Sequence, residues 1–430
     1  MKNLLNPLII SILIQIITSC IDMITKGQEI YNHLIHNALR EMSKISKRRK
    51  DFLVEVFVLF LSIKGKINFL QLSRYGKFKE QRYRQQFEKP FDFLEFNKQL
   101  VLSSGGGKYA IAFDPSYINK SGKKTPGVGY FWSGVAGKTK WGLEIGGIAA
   151  IDINNHTAFH LEAVQTLMTD ENTNLVDWYV KLLIARKDTL SPLSSLYVSD
   201  AYFAKYNFVT PLCNVGMHLI SRFRDDADLL YLYQGSKTGK KGRPKKYAGK
   251  IFYDKLNEDY FTQTYVDDKT KVYSAVVHSK SLKRKVRIVI AYYKTNKTNK
   301  TKWIHKIYFS TDITIGALDI LDIYKSRFQI EFLYRDAKQH TGLNDSQARS
   351  ENKLDFHFNA SLTSVNIAKA SMWLSIPKHE RNEFSMNNIK TMNHNMLMMN
   401  RFFDVFGINP YSEKNKKRFN ELLFFGTRAA

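Results

Sequence analysis

Cysteine is almost absent from this chain of 430 residues, in which only Cys20 and Cys213 occur. Two thiols cannot build a disulfide framework or a thiolate zinc site within one chain. This scarcity suits a reducing compartment. Any bound metal must then be held by carboxylates, which are the ligands that Mg²⁺ or Mn²⁺ prefer.

Acidic residues are scarce relative to basic ones, with 39 Asp and Glu against 65 Lys and Arg and a formal net charge of +26. Such an excess favours a polyanionic partner, nucleic acid first and an acidic membrane surface second. A hydrophobic content of 44% with 13% aromatic residues indicates a folded protein. The length allows a large core and more than one domain.

No apolar run near the amino terminus is long enough to span a bilayer as a helix, since the longest, Leu8 to Ile17, has ten residues. Followed by Cys20, it resembles a short signal or lipoprotein segment. Against export stand the weak basic region before it and the basic, cysteine-poor chain after it. A buried helix, or an extension upstream of Met23 or Met42, is favoured, and a cytoplasmic, nucleoid-associated protein without a membrane partner is expected.

The amino-terminal region is predicted to be helical. Asp51 to Ile63 is apolar almost all round, as in a buried helix. Asn68 to Tyr75, a turn at Gly76 and Phe78 to Phe87 follow, with basic residues that include Arg82 and Arg84 left outside. This pattern predicts either a helix-turn-helix DNA reader or a plain helical packing unit with a solvated basic face. The glycines at 105–107 lack the Lys-Ser or Lys-Thr of a phosphate loop and predict a linker.

Two short apolar strands are each predicted to end in an aspartate. Tyr109 to Phe113 precedes Asp114, where the following proline disfavours continuation, and Leu196 to Ser199 precedes Asp200. Such strand ends would place both carboxylates at one edge of an α/β sheet. A single strand-end aspartate is common, because Asp favours turns.

Asp322 to Lys338 contains no proline or glycine and predicts one α-helix. At about 100° per residue, Tyr324, Arg327, Glu331 and Lys338 share an arc of roughly 60°. An exposed face with ordinary ion pairs is one interpretation. A metal-binding glutamate flanked by cations that hold phosphates is the other.

The spacing Y-x2-R-x3-E-x6-K resembles the signature of bacterial insertion-sequence DDE transposases of the Tyr-Arg-Glu-Lys group. The resemblance implies a ribonuclease-H-like core in which Asp114, Asp200 and Glu331 are catalytic and hold two Mg²⁺ or Mn²⁺ ions. It implies that Tyr324, Arg327 and Lys338 grip phosphates.

A β-rich insertion over residues 229–311 is expected between the second aspartate and the glutamate. Its basic segment with Arg243, Lys245 and Lys246 resembles a minor-groove hook, although a solvated loop is an equal alternative. The resemblance suggests that Trp303 stacks near the DNA end, and a core tryptophan is the alternative.

The resulting expectation is an α/β core split into residues 105–228 and 312–375. Helical regions at 1–104 and 376–430 flank it, and 1–22 is a candidate for a non-essential extension. A methionine-rich stripe in the last region favours core packing or self-association. The predicted function is cleavage of DNA at element ends and transfer of the 3′-hydroxyl into target DNA by a homodimer in the DNA complex. A nuclease without strand transfer and an inactive DNA-binding protein are the alternatives.

Overall fold

The computed structural model describes residues 31, 33–42, 45–167, 174–236, 244–297, 300–409 and 412–428. The predicted extension at residues 1–22 and the predicted DNA contact Arg243 lie outside these ranges. Within them, no helix has both the length and the apolar character needed to cross a bilayer.

Residues 33–41 are helical, and four further helices with described bounds lie between them and the sheet; three of these four begin at side-chain caps. They are α1 Lys47–Ser62, α2 Phe69–Tyr75, α3 Glu80–Phe87 and α4 Phe93–Ser104. Ser46, Asn68 and Asp92 accept the backbone N–H of the third residue after them, which satisfies donors that a helix start leaves free. The predicted helical character and the turn at Gly76 are confirmed.

Twelve strands form one mixed sheet. They are β1 Tyr109–Asn119, β2 Gly129–Ser133, β3 Lys138–Asp152, β4 Thr157–Gln165, β5 Leu196–Val198, β6 His218–Arg222, β7 Leu229–Leu232, β8 Tyr247–Lys250, β9 Thr262–Val266, β10 Thr270–Ser279, β11 Arg284–Lys297 and β12 Lys300–Ser310. The main path runs β2-β3-β1-β5-β6-β12-β11-β10-β7-β8, with β4 on β3 and β9 on β10. The predicted α/β class is confirmed as a mixed α/β architecture.

The expected β-rich insertion continues the sheet of the core. Its last strand, β12, pairs antiparallel with β6 from Tyr308 opposite Arg222 to Ser310 opposite Ile220. Strands β11 and β10 then follow outward along the sheet. The insertion therefore shares a hydrogen-bonded edge with the core.

Helices cover both faces of the sheet. Side chains along β1 point alternately to the two faces of the sheet. Ile111 and Phe113 lie in an apolar cluster that also contains residues of α5 Leu175–Ala185 and α7 Tyr206–Asn214. A short helix, α6 Lys187–Leu190, follows α5. Ala110 and Ala112 point into the other cluster, beneath the helices α8 Ala317–Ser326, α9 Gln329–His340 and α10 Glu351–Met372. Asp114 shares the parity of Ala112 and so belongs to this second face.

Helix α10 lies at the centre of the molecule and is buried along most of its length. It contacts α1, α4 and β4, so one apolar cluster runs from the amino-terminal helices to the sheet. The division of the chain into separate domains stays a prediction.

The carboxyl-terminal region forms α11 Met386–Phe406 and α12 Glu413–Leu423. Met396 and Leu423 are buried between them, with Met392, Met399 and Phe419 packed around. Part of the methionine-rich stripe thus forms a small core, whereas its expected role in self-association stays a prediction.

Candidate active site

The two aspartates come from equivalent positions on neighbouring parallel strands. β1 and β5 pair in parallel up to Ala112 opposite Val198. Asp114 and Asp200 each follow two residues later, so they occupy matching positions just beyond the paired segment. The prediction placed both carboxylates at one edge of the sheet; the register brings them to neighbouring positions, although Asp114 lies within β1 and not at its end.

The prediction that the first strand ends at Asp114 is wrong. β1 continues to Asn119, and Asp114 and Pro115 pair with Gly147 and Gly146 of β3. Proline has no N–H to offer a neighbouring strand, but β5 has already ended at Val198 on the opposite side of β1. Pro115 therefore costs the sheet little, and Asp114 lies within a continuous strand.

The predicted single helix over Asp322 to Lys338 is also wrong in one respect. α8 ends at Ser326 and α9 begins at Gln329. Across the junction, Ile330 N–H donates to the carbonyl of Arg327 at 3.1 Å and Glu331 N–H to that of Phe328 at 3.0 Å. These bonds span three residues, which tightens the turn between the two helices.

Arg327, at this junction, offsets part of the negative charge of the three acidic residues. Its Nη2 donates to Oε1 of Glu331 at 3.0 Å. Its charge also opposes the rise in the pKa of both Asp114 and Asp200. One guanidinium thus acts on all three predicted catalytic carboxylates.

Burial raises the pKa of Asp114 to about 7, and the charges of Asp200 and Glu331 add to the rise. Burial also raises the pKa of Asp200, although its carboxylate accepts the backbone N–H of Tyr202 at 3.0 Å. The three carboxyl groups therefore lie within electrostatic range of one another, and their repulsion is only partly relieved by cations.

Lys338 and Tyr334 tie helix α9 to strand β1. Nζ of Lys338 donates to Oγ of Ser116 at 2.9 Å, and burial lowers the pKa of this lysine. The hydroxyl of Tyr334 donates to the backbone carbonyl of Asp114 at 2.6 Å. These two bonds fix the helix that carries Glu331 over the strand that carries Asp114.

Sequence reasoning missed Tyr334 and Ser116. A signal for Tyr334 exists in the doublet Gly146-Gly147, because glycine inside a strand often marks close approach by another group. A Cβ on Gly147 would lie 1.8 Å from the hydroxyl oxygen of Tyr334. Ser116 has no comparable signal.

Tyr324 lies half-buried at the end of α8. Its ring packs on that of Tyr308 at 5.0 Å between centroids, and Arg327 lies over it at 5.9 Å. Burial raises the pKa of its hydroxyl. The four residues of the Tyr-Arg-Glu-Lys spacing thus lie on two successive helices.

The donor set suits Mg²⁺ or Mn²⁺ chemically, because it consists only of carboxylate oxygens. In the part of the chain that the structure describes, however, no three His, Cys, Asp or Glu side chains are close enough together to hold an ion. Glu331 is instead engaged with Arg327. The chemistry fits a cation, and metal binding by the three acids stays a prediction.

The other predicted DNA contacts lie on elements that do not carry the carboxylates. Arg84 of α3 forms an ion pair with Glu80 and lies over the ring of Phe69, and Arg82 is half-buried. Lys245 and Lys246 are exposed beside β8. Their contacts with DNA stay predictions.

Trp303 lines a cavity of about 490 Å³ in the insertion with Tyr273, Tyr292 and His305, and Lys271 lies 4.9 Å from the centre of its ring. It is only part-buried. Whether it stacks near a DNA end stays a prediction.

The family model described as "Transposase DDE domain" matches residues 147–367, just over half of the chain. This span includes Asp200 and Glu331 but begins after Asp114. No curated protein matches the chain.

A cryo-EM structure of the piggyBac transposase synaptic complex with hairpin DNA aligns over 96% of this chain and 86% of its own. The identity is 10% and the TM-score is 0.39. Similarity at this level carries no argument about function.

Proposed function

Because this chain belongs to the family of transposases with a DDE domain, we propose that it cuts DNA at the ends of a mobile element and joins the freed 3′-hydroxyl to target DNA. The proposal assigns it to the bacterial insertion-sequence group with the Tyr-Arg-Glu-Lys signature and to a ribonuclease-H-like core. The observation that carries it is the matching position of Asp114 and Asp200 on parallel strands, with the helix that carries Glu331 bound to the strand of Asp114.

Within this proposal, Asp114, Asp200 and Glu331 would hold two Mg²⁺ or Mn²⁺ ions. Such ions supply Lewis-acid stabilisation and activate an oxygen nucleophile at neutral pH. The raised pKa of Asp114 supports the assignment, because a buried carboxyl repelled by two others gains most from a nearby cation.

The chain's own cations orient the DNA. Arg327 presents a planar guanidinium that can bind two phosphate oxygens at once, and Lys338 supplies a point charge beside Ser116. Tyr324 packs beneath Arg327 and limits its freedom. A positioned phosphate needs less reorganisation on the way to the transition state.

Binding of double-stranded DNA, both element ends and target, belongs to the same proposal. Helices α2 and α3 with Arg82 would read the end, and Lys245, Lys246 and Trp303 of the insertion would contact the duplex. A homodimer would bring two ends together, and α11 and α12 offer exposed apolar residues for that contact, including Phe402, Val405 and Phe406.

The test uses a linear DNA that carries the gene with its genomic flanks, together with a supercoiled target plasmid. Wild-type protein with Mg²⁺ or Mn²⁺ should break strands at the flanks and produce covalent joints to the plasmid. Glu331→Gln and Asp200→Asn should each lower cleavage by about a hundredfold or more, because metal-held transition states are worth several kcal/mol. Asp188→Asn, at an exposed position on α6, is the matched control and should cleave normally.

Two outcomes would contradict the proposal. Cleavage without any joined product would indicate a nuclease. Unchanged cleavage by Glu331→Gln would remove the glutamate from the catalytic set.

A further inference from the structure

A two-stranded arm projects beyond the edge of the sheet near the candidate active site. β1 ends at Asn119, opposite Gly142, whereas β2 and β3 continue to pair out to Ser133 opposite Lys138. Residues 130–141 therefore extend past the strand that carries Asp114. A lone hairpin of this kind gains little stability from its own contacts.

One face of this arm is aromatic and open to solvent. Tyr130 pairs with Trp141, and Trp132 with Thr139, so these side chains share a face. Tyr130 is 73% exposed and Trp132 is 61% exposed. The rings of Tyr130 and Trp141 contact edge to face at 5.3 Å. Aromatic residues clustered on a protruding surface mark a binding site.

The charged residues of the arm and of the chain beside it indicate which kind of partner the arm binds. Between Asp114 and Glu144 the chain has five lysines and no acidic residue. On the face of the arm opposite the aromatic one, Lys140 lies over the ring of Tyr117 at 5.9 Å. An arm that carries exposed aromatic rings on one face and lysine on the other, with no acidic residue, matches the bases and phosphates of nucleic acid.

A basic cleft of about 550 Å³ lies at the base of the arm. Its cations are Lys66, Lys120, Lys123, Lys124 and Arg349. Lys120 spans the cleft by donating to the carbonyls of Ser346 and Ala348, which holds the wall together.

The remaining four cations form no ion pair within the described ranges. The one acid in the lining, Asp345, accepts the backbone N–H of Ile67 at 2.8 Å. The cleft therefore concentrates uncompensated positive charge.

The cleft and the arm both adjoin β1, the strand that carries Asp114. Asn119, in the wall of the cleft, is five residues beyond Asp114, about 16 Å at ~3.3 Å per residue. This corresponds to roughly five base pairs of duplex at 3.4 Å each. The indole N–H of Trp141 donates to the carbonyl of Gly122, so the arm rests against the cleft.

We infer that the cleft and the arm bind a DNA strand that leaves the catalytic carboxylates, with its phosphates on Lys66, Lys123, Lys124 and Arg349 and its unpaired bases on Tyr130 and Trp132. This inference rests on the proposed function and adds to it a second binding surface that prefers single-stranded DNA next to a duplex.

The experiment measures binding in EDTA, so that no cleavage occurs. The probes are a short labelled duplex and the same duplex with a tail of about six thymidines, within the ~4–16 nucleotides of typical single-strand sites. Lys123→Gln with Lys124→Gln tests the cleft, and Tyr130→Ala with Trp132→Ala tests the arm. Lys181→Gln with Lys187→Gln, on helices that cover the opposite face of the sheet, is the matched control.

The arm variant should bind the tailed probe about tenfold more weakly and the untailed duplex normally, because stacking is worth ~1–3 kcal/mol per base. The cleft variant should reduce the slope of log affinity against log salt by about 1.4 for the tailed probe, since each single-strand phosphate contact contributes roughly 0.7. Thermal unfolding should match the wild type for all three proteins, because the altered side chains are largely exposed.

If arm and cleft variants bind the tailed probe as the control does, the inference is overturned while the proposed function stands. If the wild type binds neither probe, the proposed function itself fails. If the arm variant instead alters only the oligomeric state, the arm is a protein contact and the inference is wrong.

Discussion

Replacing Gly147 by alanine tests whether Tyr334 holds helix α9 onto the strand of Asp114. The added Cβ would lie 1.8 Å from the hydroxyl oxygen of Tyr334 and 2.9 Å from the carbon that bears it, both shorter than van der Waals contact. Tyr334 is buried, so its ring has no free path into solvent. Its hydrogen bond to the carbonyl of Asp114 must break, or the helix must move.

The expected loss in free energy of unfolding is about 2–6 kcal/mol. Overpacking of a filled core costs ~1–3 kcal/mol, and a buried carbonyl left without its donor costs a further ~1–3 kcal/mol. Tyr334→Phe alone removes only the hydrogen bond. In the double variant the closest clashing atom is gone, so the two effects should fall short of additivity by at least about 1 kcal/mol.

Urea unfolding of the four proteins of this cycle measures the coupling. Gly146→Ala is the matched control, because its Cβ would meet Phe113 and Leu182 at 3.2–3.3 Å on the opposite face of the sheet. It should cost less and add independently to Tyr334→Phe. A Gly147→Ala protein within about 0.5 kcal/mol of wild type, the usual range for neutral substitutions, would refute the geometry argued here.

Three further predictions concern buried polar groups. Burial raises the pKa of Asp355 to about 7. The native state therefore keeps a proton that the unfolded chain loses near pH 4, and the free energy of unfolding should fall as the pH rises between these two values. Asp355→Asn should remove that slope in urea unfolding at successive pH values and gain at most about 4 kcal/mol at pH 8. Asn366→Leu should lower the free energy of unfolding by about 3 kcal/mol or more in thermal unfolding, because the backbone N–H and carbonyl of His160 and the side-chain oxygen of Asn97 all lose a hydrogen bond. Ser364→Ala, which removes one bond, should lower it by about 1 kcal/mol. Arg327→Gln releases Glu331 from its ion pair, so calorimetry should show Mn²⁺ binding at least as tight as in the wild type. The same variant should cleave DNA poorly. Weaker Mn²⁺ binding would contradict this prediction.

Local pattern predicted the elements that carry the site, because apolar runs and their breaks are properties of neighbouring residues. The strand before Asp200 and the helices around Glu331 are examples. Pro115 misled the prediction for β1, since whether a proline ends a strand depends on which neighbours still need its N–H. That information lies in β5, more than eighty residues away along the chain.

Tertiary contacts also decide where the helix tightens. Nothing between Tyr324 and Lys338 breaks a helix by its own preference, yet the chain forms a tight turn at Arg327. Lys338 and Tyr334 are bound to β1, whereas Tyr324 packs against β12. A helix anchored at both ends on different strands must adjust in the middle, and spacing along the sequence does not reveal this.

The position of Arg327 offsets part of the repulsion among the three carboxyl groups. Burial raises the pKa of Asp114, and repulsion by the carboxylates of Asp200 and Glu331 adds to the rise. Arg327 offsets part of it through its bond to Glu331 and its pull on both aspartates. The same guanidinium is the group best suited to grip a phosphate. Under the proposed function, DNA would draw Arg327 toward a phosphate and leave the carboxylates under-compensated, so that cation binding and DNA binding would favour each other.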